Sequence, residues 1–236
     1  MTITYINHSG FFVELDTVCL LFDYWQGPLP EPVPGKALLA FASHRHMDHY
    51  NPEIFAYAAR WEQAKVILGN DIRLSAKRKE ALGITDEAFL RMGPDRTETV
   101  QGVTIRTLRS TDAGVAFLVE ADGRTVYHAG DLNWWIWEAE PEDKKAVMTE
   151  AFFAEIDKLR GIPIDVAFLT LDARQQNTAR LGFDHCLRNL DIRKAVPMHS
   201  FGKFELHLDF AVDPMSLPYR EKILLMTQTG QKAVLE

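Results

Sequence analysis

Three imidazoles and one carboxylate fall within six residues, His44, His46, Asp48 and His49, in the run SHRHMDH. Imidazole nitrogen and carboxylate oxygen together suit a divalent transition metal, zinc first, with manganese or iron as alternatives. Single histidines are mostly surface or satisfied core residues, but three of the chain's eight interleaved with an acid are not explained that way. One tightly held cation takes three or four protein ligands, so five or more nearby would point to a pair of ions. A cation in such a cluster lowers the pKa of a coordinated water from 15.7 towards about 7, which is the chemistry of hydrolysis at neutral pH. No nucleophile-elbow pattern surrounds Ser43 or Ser200, so a serine hydrolase is not indicated. The two cysteines, Cys19 and Cys186, are far apart and form no CxxC pair, which disfavours a thiolate metal site and a disulfide framework.

The cluster lies between an apolar strand at 37–42 and a helix start at Asn51-Pro52-Glu53, where a cap, a first-turn proline and an early acid follow in order. A rigid strand end of that kind presents several side chains into a cleft. Upstream, 2–6, 11–15 and 18–22 read as short strands separated by small polar breaks. The proline-rich stretch 27–35 reads as a surface loop, because strand pattern resumes directly after it. Further on, 65–68 reads as a strand and 71–82 as a helix; 103–108, 115–120 and 125–128 are strands, with Asp122-Gly123 as a hairpin turn. The spacing of Ala146, Val147, Phe152, Phe153, Ile156 and Leu159 predicts an amphipathic helix over 141–159. A buried strand at 166–171, a helix at 184–190 and strands at 195–198 and 222–226 complete the reading. This order predicts a layered α/β sandwich in one domain spanning 1–236.

A chain of 236 residues buries a sizeable core unaided, so a metal in it would serve catalysis and not folding. The formal net charge of −7 argues against a nucleic-acid partner. The first residues carry no basic start followed by an apolar run, and no stretch is long enough to span a bilayer, so a cytoplasmic protein without a membrane partner is expected. The sequence leaves a homo-oligomer open.

HRHMDH matches the HxHxDH signature of the metallo-β-lactamase superfamily, and the chain resembles that family along its whole length. Asp23 closes a strand in LLFDYW, Asp131 follows one in YHAGD, and His199 follows one in VPMHS. The opening ITYINHSGFFVEL resembles the branch that contains ascorbate-6-phosphate lactonase. The resemblance implies a four-layered αββα sandwich, two mixed sheets flanked by helices, with the site along one edge. It implies that His44 and His46 hold a first metal, that Asp48 and His49 hold a second together with His199, and that Asp131 bridges the two. Asp48 would also orient the nucleophile or handle its proton. The family normally supplies a further histidine to the first metal between these motifs, yet no histidine occurs between His49 and His128. Asp112 is the best substitute, and it reads equally well as a turn residue ahead of Gly114. The stretches STDAGVAF and HAGDLNWW also resemble a subgroup of the same family.

Four further residues are candidates for contact with substrate. His8 would bind an oxyanion or support a metal ligand, or else cap its turn. Trp134, crowded with Trp135 and Trp137, is either structural or part of an apolar wall over the substrate. Arg174 would grip a phosphate or carboxylate, or pair structurally with Asp172. His128 would orient the site or pack as a buried strand residue; His185 and His207 read as structural. The expected function is metal-dependent hydrolysis of an ester, lactone or phosphoester bond in a small molecule, with an anionic substrate left open. The alternatives are a phosphodiesterase or nuclease-type hydrolase and a non-catalytic metal-binding regulator.

Overall fold

The structure, a computed structural model, describes all 236 residues. Short apolar runs broken by turns give the strands β1 (Thr2–Asn7), β2 (Gly10–Glu14), β3 (Val18–Phe22), β4 (Ala37–Ala42), β5 (Ala64–Gly69) and β6 (Phe89–Met92). The second run is β7 (Thr97–Val100), β8 (Val103–Arg109), β9 (Val115–Ala121), β10 (Arg124–His128), β11 (Ile164–Thr170) and β12 (Ile192–Met198), and β13 (Lys232–Val234) closes the chain. One sheet has the order β13-β1-β2-β3-β4-β5-β6 and the other β12-β11-β10-β9-β8-β7. Both are mixed: β3 to β6 and β10 to β12 run parallel, and the remaining neighbours are antiparallel.

Alternation along β2 decides the layering. Phe11 and Val13 face the second sheet while Phe12 faces the helical side. Between the sheets Phe11 stacks on Phe168 with ring centroids 4.2 Å apart, and Phe41 meets Phe117 at 5.1 Å. Each such buried ring contributes about 1.5–3 kcal/mol. The helix α1 (Glu53–Ala58) buries Ile54, Phe55 and Tyr57 against the outer face of the first sheet with Phe12, Leu21 and Trp61. The helix α2 (Ala76–Leu82) follows β5. On the second sheet, α3 (Glu142–Ile156) and α4 (Leu181–Asn189) bury Phe152, Ile156, Phe183 and Leu187, and α5 (Glu205–Val212) adds Phe210. The result is the expected pair of mixed sheets flanked by helices. No helix is long and apolar enough to cross a membrane. Both cysteines are free and buried, as small core residues.

Three local expectations are corrected. The helix expected over 71–82 begins only at Ala76: Ser75 caps it by accepting the Arg78 N–H at 3.2 Å, and Asp71 is drawn off to accept the Arg45 N–H at 3.1 Å. Residues 222–226 do not form a strand. They leave a 3-10 segment, Pro214–Lys222, and touch the sheet through one bridge, Ile223 to Ala195. In the helix expected over 141–159, α3 tightens to a 3-10 turn at Asp157–Leu159, and Val147 points to solvent. The Asp122-Gly123 hairpin forms with φ of 50° and 70°, the signs that a tight primed turn needs.

The functional consequence lies in strand direction. The chain leaves β1, β3, β4, β10, β11 and β12 within one to three residues of His8, Asp23, Ser43, Asp131, Asp172 and His199 respectively, so these residues gather at one edge. Such a crevice beyond the carboxyl ends of parallel strands is where open α/β sheets bind ligands.

Candidate metal centre

The apolar strand β4 ends at Ala42, and the chain turns sharply through the histidine-rich loop, with the His49 and Tyr50 N–H groups donating to the His46 carbonyl. Two glycines let other backbone approach this loop. Gly114 has φ +65°, and a β-carbon there would lie 2.1 Å from the Ser43 carbonyl oxygen; one on Gly130 would lie 2.8 Å from Ser43 Cβ. Asp23, fully buried with φ +41°, anchors the loop from β3. It accepts the Ser43 N–H on Oδ1 and the Ser43 hydroxyl on Oδ2, both at 2.7 Å.

These bonds set the tautomers. The Ser43 hydroxyl hydrogen is committed to Asp23, so its oxygen accepts the His44 Nδ1–H at 2.9 Å. His49 donates Nδ1–H to Asp23 Oδ2 at 2.7 Å, and His199 donates Nδ1–H to Asp172 Oδ2 at 2.8 Å. In all three rings Nδ1–H is spent on an acceptor behind the ring and Nε2 faces the cleft, the arrangement that orients a metal-binding histidine.

The three Nε2 atoms converge on Asp131. Its Oδ1 lies 3.2 Å from His49 Nε2 and 3.3 Å from His199 Nε2, while Oδ2 lies 3.3 Å from His44 Nε2. Two sets of donors result. One is His44, His46 and Asp131, with His44 Nε2 and His46 Nδ1 only 2.9 Å apart. The other is Asp48, His49 and His199, joined by His8; Asp48 Oδ2 is 3.9 Å from each of the His49 and His199 Nε2 atoms. His49 Nε2, His199 Nε2 and Asp131 Oδ1 are buried and have no hydrogen-bond partner. Orphaned buried groups of this kind are costly unless something satisfies them, and lone pairs converging from nitrogen and oxygen fit a divalent cation.

The charge pattern agrees. Burial would raise the Asp131 carboxyl, but His49, His199 and His44 hold it well below the usual carboxylate range. Burial would lower His199, but Asp131 and Asp172 push it up to about 9. Burial lowers His8 to about 4 against the opposing pull of Asp48.

The structure thus brings His44, His46, Asp48, His49, Asp131 and His199 to one place. Asp112 lies at the margin: its Oδ2 is 3.9 Å from His46 Nδ1, outside the tight donor set. Arg174 is committed in part to Asp172, donating from Nε at 2.8 Å, and its guanidinium lies over Phe201. Asp172 is buried behind His199, so it orients that ring and does not line the cleft. Trp134, read from sequence as a wall over the substrate, turns away to pack on Phe152 and Phe153, with its Nε1–H on Thr149 Oγ1. Its neighbours take that position instead: Trp135 and Trp137 stack at 6.0 Å, and with Asp112, Asp131, Met148 and Arg174 they line a cleft of about 230 Å³. His128 is structural, accepting the Gly130 N–H on Nδ1 and donating from Nε2 to the Ser9 carbonyl.

Sequence reasoning treated Asp23 as a landmark and gave no role to Ser43 beyond excluding it as a nucleophile. The available signal was an acid ending the otherwise wholly apolar run VCLLF.

Comparison with known proteins follows the same lines. Residues 2–147 match the family model described as β-lactamase superfamily domain. A UPF0173 metal-dependent hydrolase of Opitutus terrae is 28% identical over 228 residues, covering 91% of this chain and 89% of the relative. Another protein of that name, from Thermococcus kodakarensis, is 26% identical over 211 residues, covering 84% and 83%. Among solved structures, the metallo hydrolase Igni18 from Ignicoccus hospitalis superposes with a TM-score of 0.67 at 19% identity, over 100% of this chain and 98% of that one, a likeness of fold.

Proposed function

The chain belongs to the β-lactamase superfamily domain family and is a metal-dependent hydrolase of the metallo-β-lactamase superfamily; from that premise we propose that its substrate is a small molecule carrying a carboxylic ester or lactone bond. The observation that carries the hydrolytic reading is Asp131, whose Oδ1 faces the orphaned His49 and His199 Nε2 atoms and whose Oδ2 faces His44 Nε2. When bound, a divalent cation supplies Lewis acidity: it makes water nucleophilic at neutral pH and polarises a carbonyl or phosphoryl oxygen. His44, His46 and Asp131 would hold one ion, and Asp48, His49 and His199 the other with Asp131. Zinc is the first candidate for this nitrogen and oxygen set.

The residues of the chain supply the rest. Asp48, one-fifth exposed, would orient the attacking water; against the effect of burial, His8 and His49 hold its carboxyl well below the usual carboxylate range. Trp135 fixes the turn that presents Asp131, donating its Nε1–H to the Asp131 carbonyl at 2.9 Å. The stacked Trp135 and Trp137 give the cleft an apolar wall, and about 230 Å³ suits a small substrate and not a polymer. The one cation lining it, Arg174, is paired with Asp172 and offers an anionic group on the substrate a partly engaged positive charge.

The test is a panel of p-nitrophenyl esters, simple lactones and bis(p-nitrophenyl) phosphate, assayed with zinc- and manganese-loaded protein. Esters or lactones are expected to turn over at least tenfold faster than the phosphodiester. The opposite ratio would make the protein a phosphodiesterase, and full metal occupancy without turnover would make it a metal-binding regulator.

A further inference from the structure

We infer that His8 is a positioning residue that donates its Nε2 hydrogen to Asp48, and that it is not a metal ligand. The inference rests on the metal-dependent reading of the same site. Distance alone would place His8 among the ligands, because its Nε2 shares a donor cluster with Asp48, His49 and His199. Proton placement excludes it.

His8 directly follows β1 in the left-handed region, with φ +54°, and its backbone N–H donates to the Tyr5 hydroxyl at 2.7 Å. A non-glycine residue held there is strained, so its surroundings must over-determine it. They do: the ring is 1% exposed and packs on Phe201 at 4.1 Å and on His199 at 4.3 Å between centroids. The Phe201 N–H donates to His8 Nδ1 at 3.2 Å. A ring nitrogen that accepts a hydrogen bond carries no proton, so the neutral ring bears its hydrogen on Nε2. That atom is buried, makes no hydrogen bond in this structure and stands 3.4 Å from Asp48 Oδ2, the nearest acceptor for its hydrogen.

His8 is therefore the reverse of its neighbours. His44, His49 and His199 each spend Nδ1–H on an acceptor behind the ring and present a lone pair. His8 spends its lone pair on a donor behind the ring and presents a hydrogen. Asp48 has no other side-chain donor within hydrogen-bonding distance, and a carboxylate that binds metal needs such a bond to hold its orientation. Ligation through His8 Nε2 would require the ring to move its proton to Nδ1 and forfeit the Phe201 N–H.

A long-range 1H–15N imidazole spectrum of the zinc-loaded protein reads this directly, with the His8 signals assigned by their loss in His8→Gln. The expected result is protonation at Nε2 for His8 and at Nδ1 for His49 and His199; His8 protonated at Nδ1 overturns the inference. Metal analysis and the visible spectrum of the cobalt-loaded protein add a second readout, with His199→Ala as the ligand-loss control. His8→Ala should keep the wild-type ion count and cobalt band pattern while metal affinity falls about 10–100-fold and kcat drops more than KM changes. His8→Gln, which retains an amide donor, should restore most of the loss. An ion lost from His8→Ala, as from His199→Ala, overturns the inference and leaves the metal-dependent reading intact. Wild-type protein that takes up no metal overturns both.

Discussion

Around the inner set, His49 and His199 are buried and each is tied at Nδ1 to a buried carboxylate, Asp23 or Asp172. The outer set has one such ring, His44; its second, His46, is 46% exposed, and the acid nearest it, Asp112, is 52% exposed. One position is thus built before the cation arrives, and the other is finished by residues that must still be ordered. Ordering a side chain costs conformational entropy that a pre-set ring has already lost in folding. The inner ion should bind more firmly than the outer one, with Asp131 as the only residue on which both depend.

The largest effect should come from removing that shared residue. Asp131→Ala leaves three bare imidazoles facing one another and deprives both positions of a ligand. Breaking a buried charged partnership costs on the order of 3–5 kcal/mol, so kcat/KM should fall by about 10²–10³-fold or more, with both ions lost by elemental analysis. Retention of one ion at full strength would show that Asp131 serves one position only.

Next in size is pH dependence, which separates the metal-free from the loaded protein. Against the opposing effect of burial, Asp131 and Asp172 raise His199 to about 9 in the folded metal-free chain. A group raised in the native state stabilises fully below its unfolded pKa, near 6.5, and that stabilisation disappears as pH climbs to about 9. The metal-free Tm should fall across this window, by a stability change on the order of 3 kcal/mol at most. His8, lowered to about 4 by burial, acts in the other direction: its contribution is present above about 6.5 and is lost as pH falls towards 4. In loaded protein a cation replaces the His199 proton, and the decline above pH 6.5 should vanish. Melting curves with and without chelator that fall in parallel would contradict this.

A smaller change tests the supports behind the rings. Asp23→Asn weakens the hold on His49 directly and on His44 through Ser43, whereas Asp172→Asn reaches His199 alone. Each should cost about 10–100-fold in metal affinity, measured by chelator competition. Asp23→Asn should weaken both positions and Asp172→Asn only the inner one. Equal effects from the two variants would mean that the serine relay to His44 carries nothing.

The same contrast explains what was legible in the sequence. HRHMDH could be read because its donors are close along the chain, and Asp131 and His199 because short motifs flank them. The tautomers could not be read, since they depend on partners 20 or more residues away, such as Asp23 for Ser43 and Phe201 for His8. Which of Trp134, Trp135 and Trp137 lines the cleft was left open by the sequence, because adjacent residues in a turn face different ways and pattern alone does not say which. The short strands β6 and β7 lack apolar alternation; Thr97–Val100 reads TETV and is held by its pairing with β8. The apolar run in 222–226 misled for the opposite reason: Leu224 donates one hydrogen bond to the Ala195 carbonyl without continuing the ladder.

The smallest expected effect belongs to Asp112. The loop that carries it is anchored on the approach to the side chain, by the Thr111 hydroxyl on the Asn133 carbonyl at 2.6 Å and by the Asp112 N–H on Ser110 Oγ at 3.2 Å. The backbone is therefore placed while the carboxylate stays free to swing, 3.9 Å from His46 Nδ1. Removing an exposed carboxylate away from the core should leave stability within about 0.5 kcal/mol. Asp112→Ala should loosen the outer ion by about tenfold or less, because the carboxylate contributes charge near His46 without a fixed bond, and should leave the inner ion untouched. Metal titration of the variant decides the matter. Loss of one whole ion would mean that Asp112 closes on the cation as a full ligand, and the outer position would then be as completely built as the inner one.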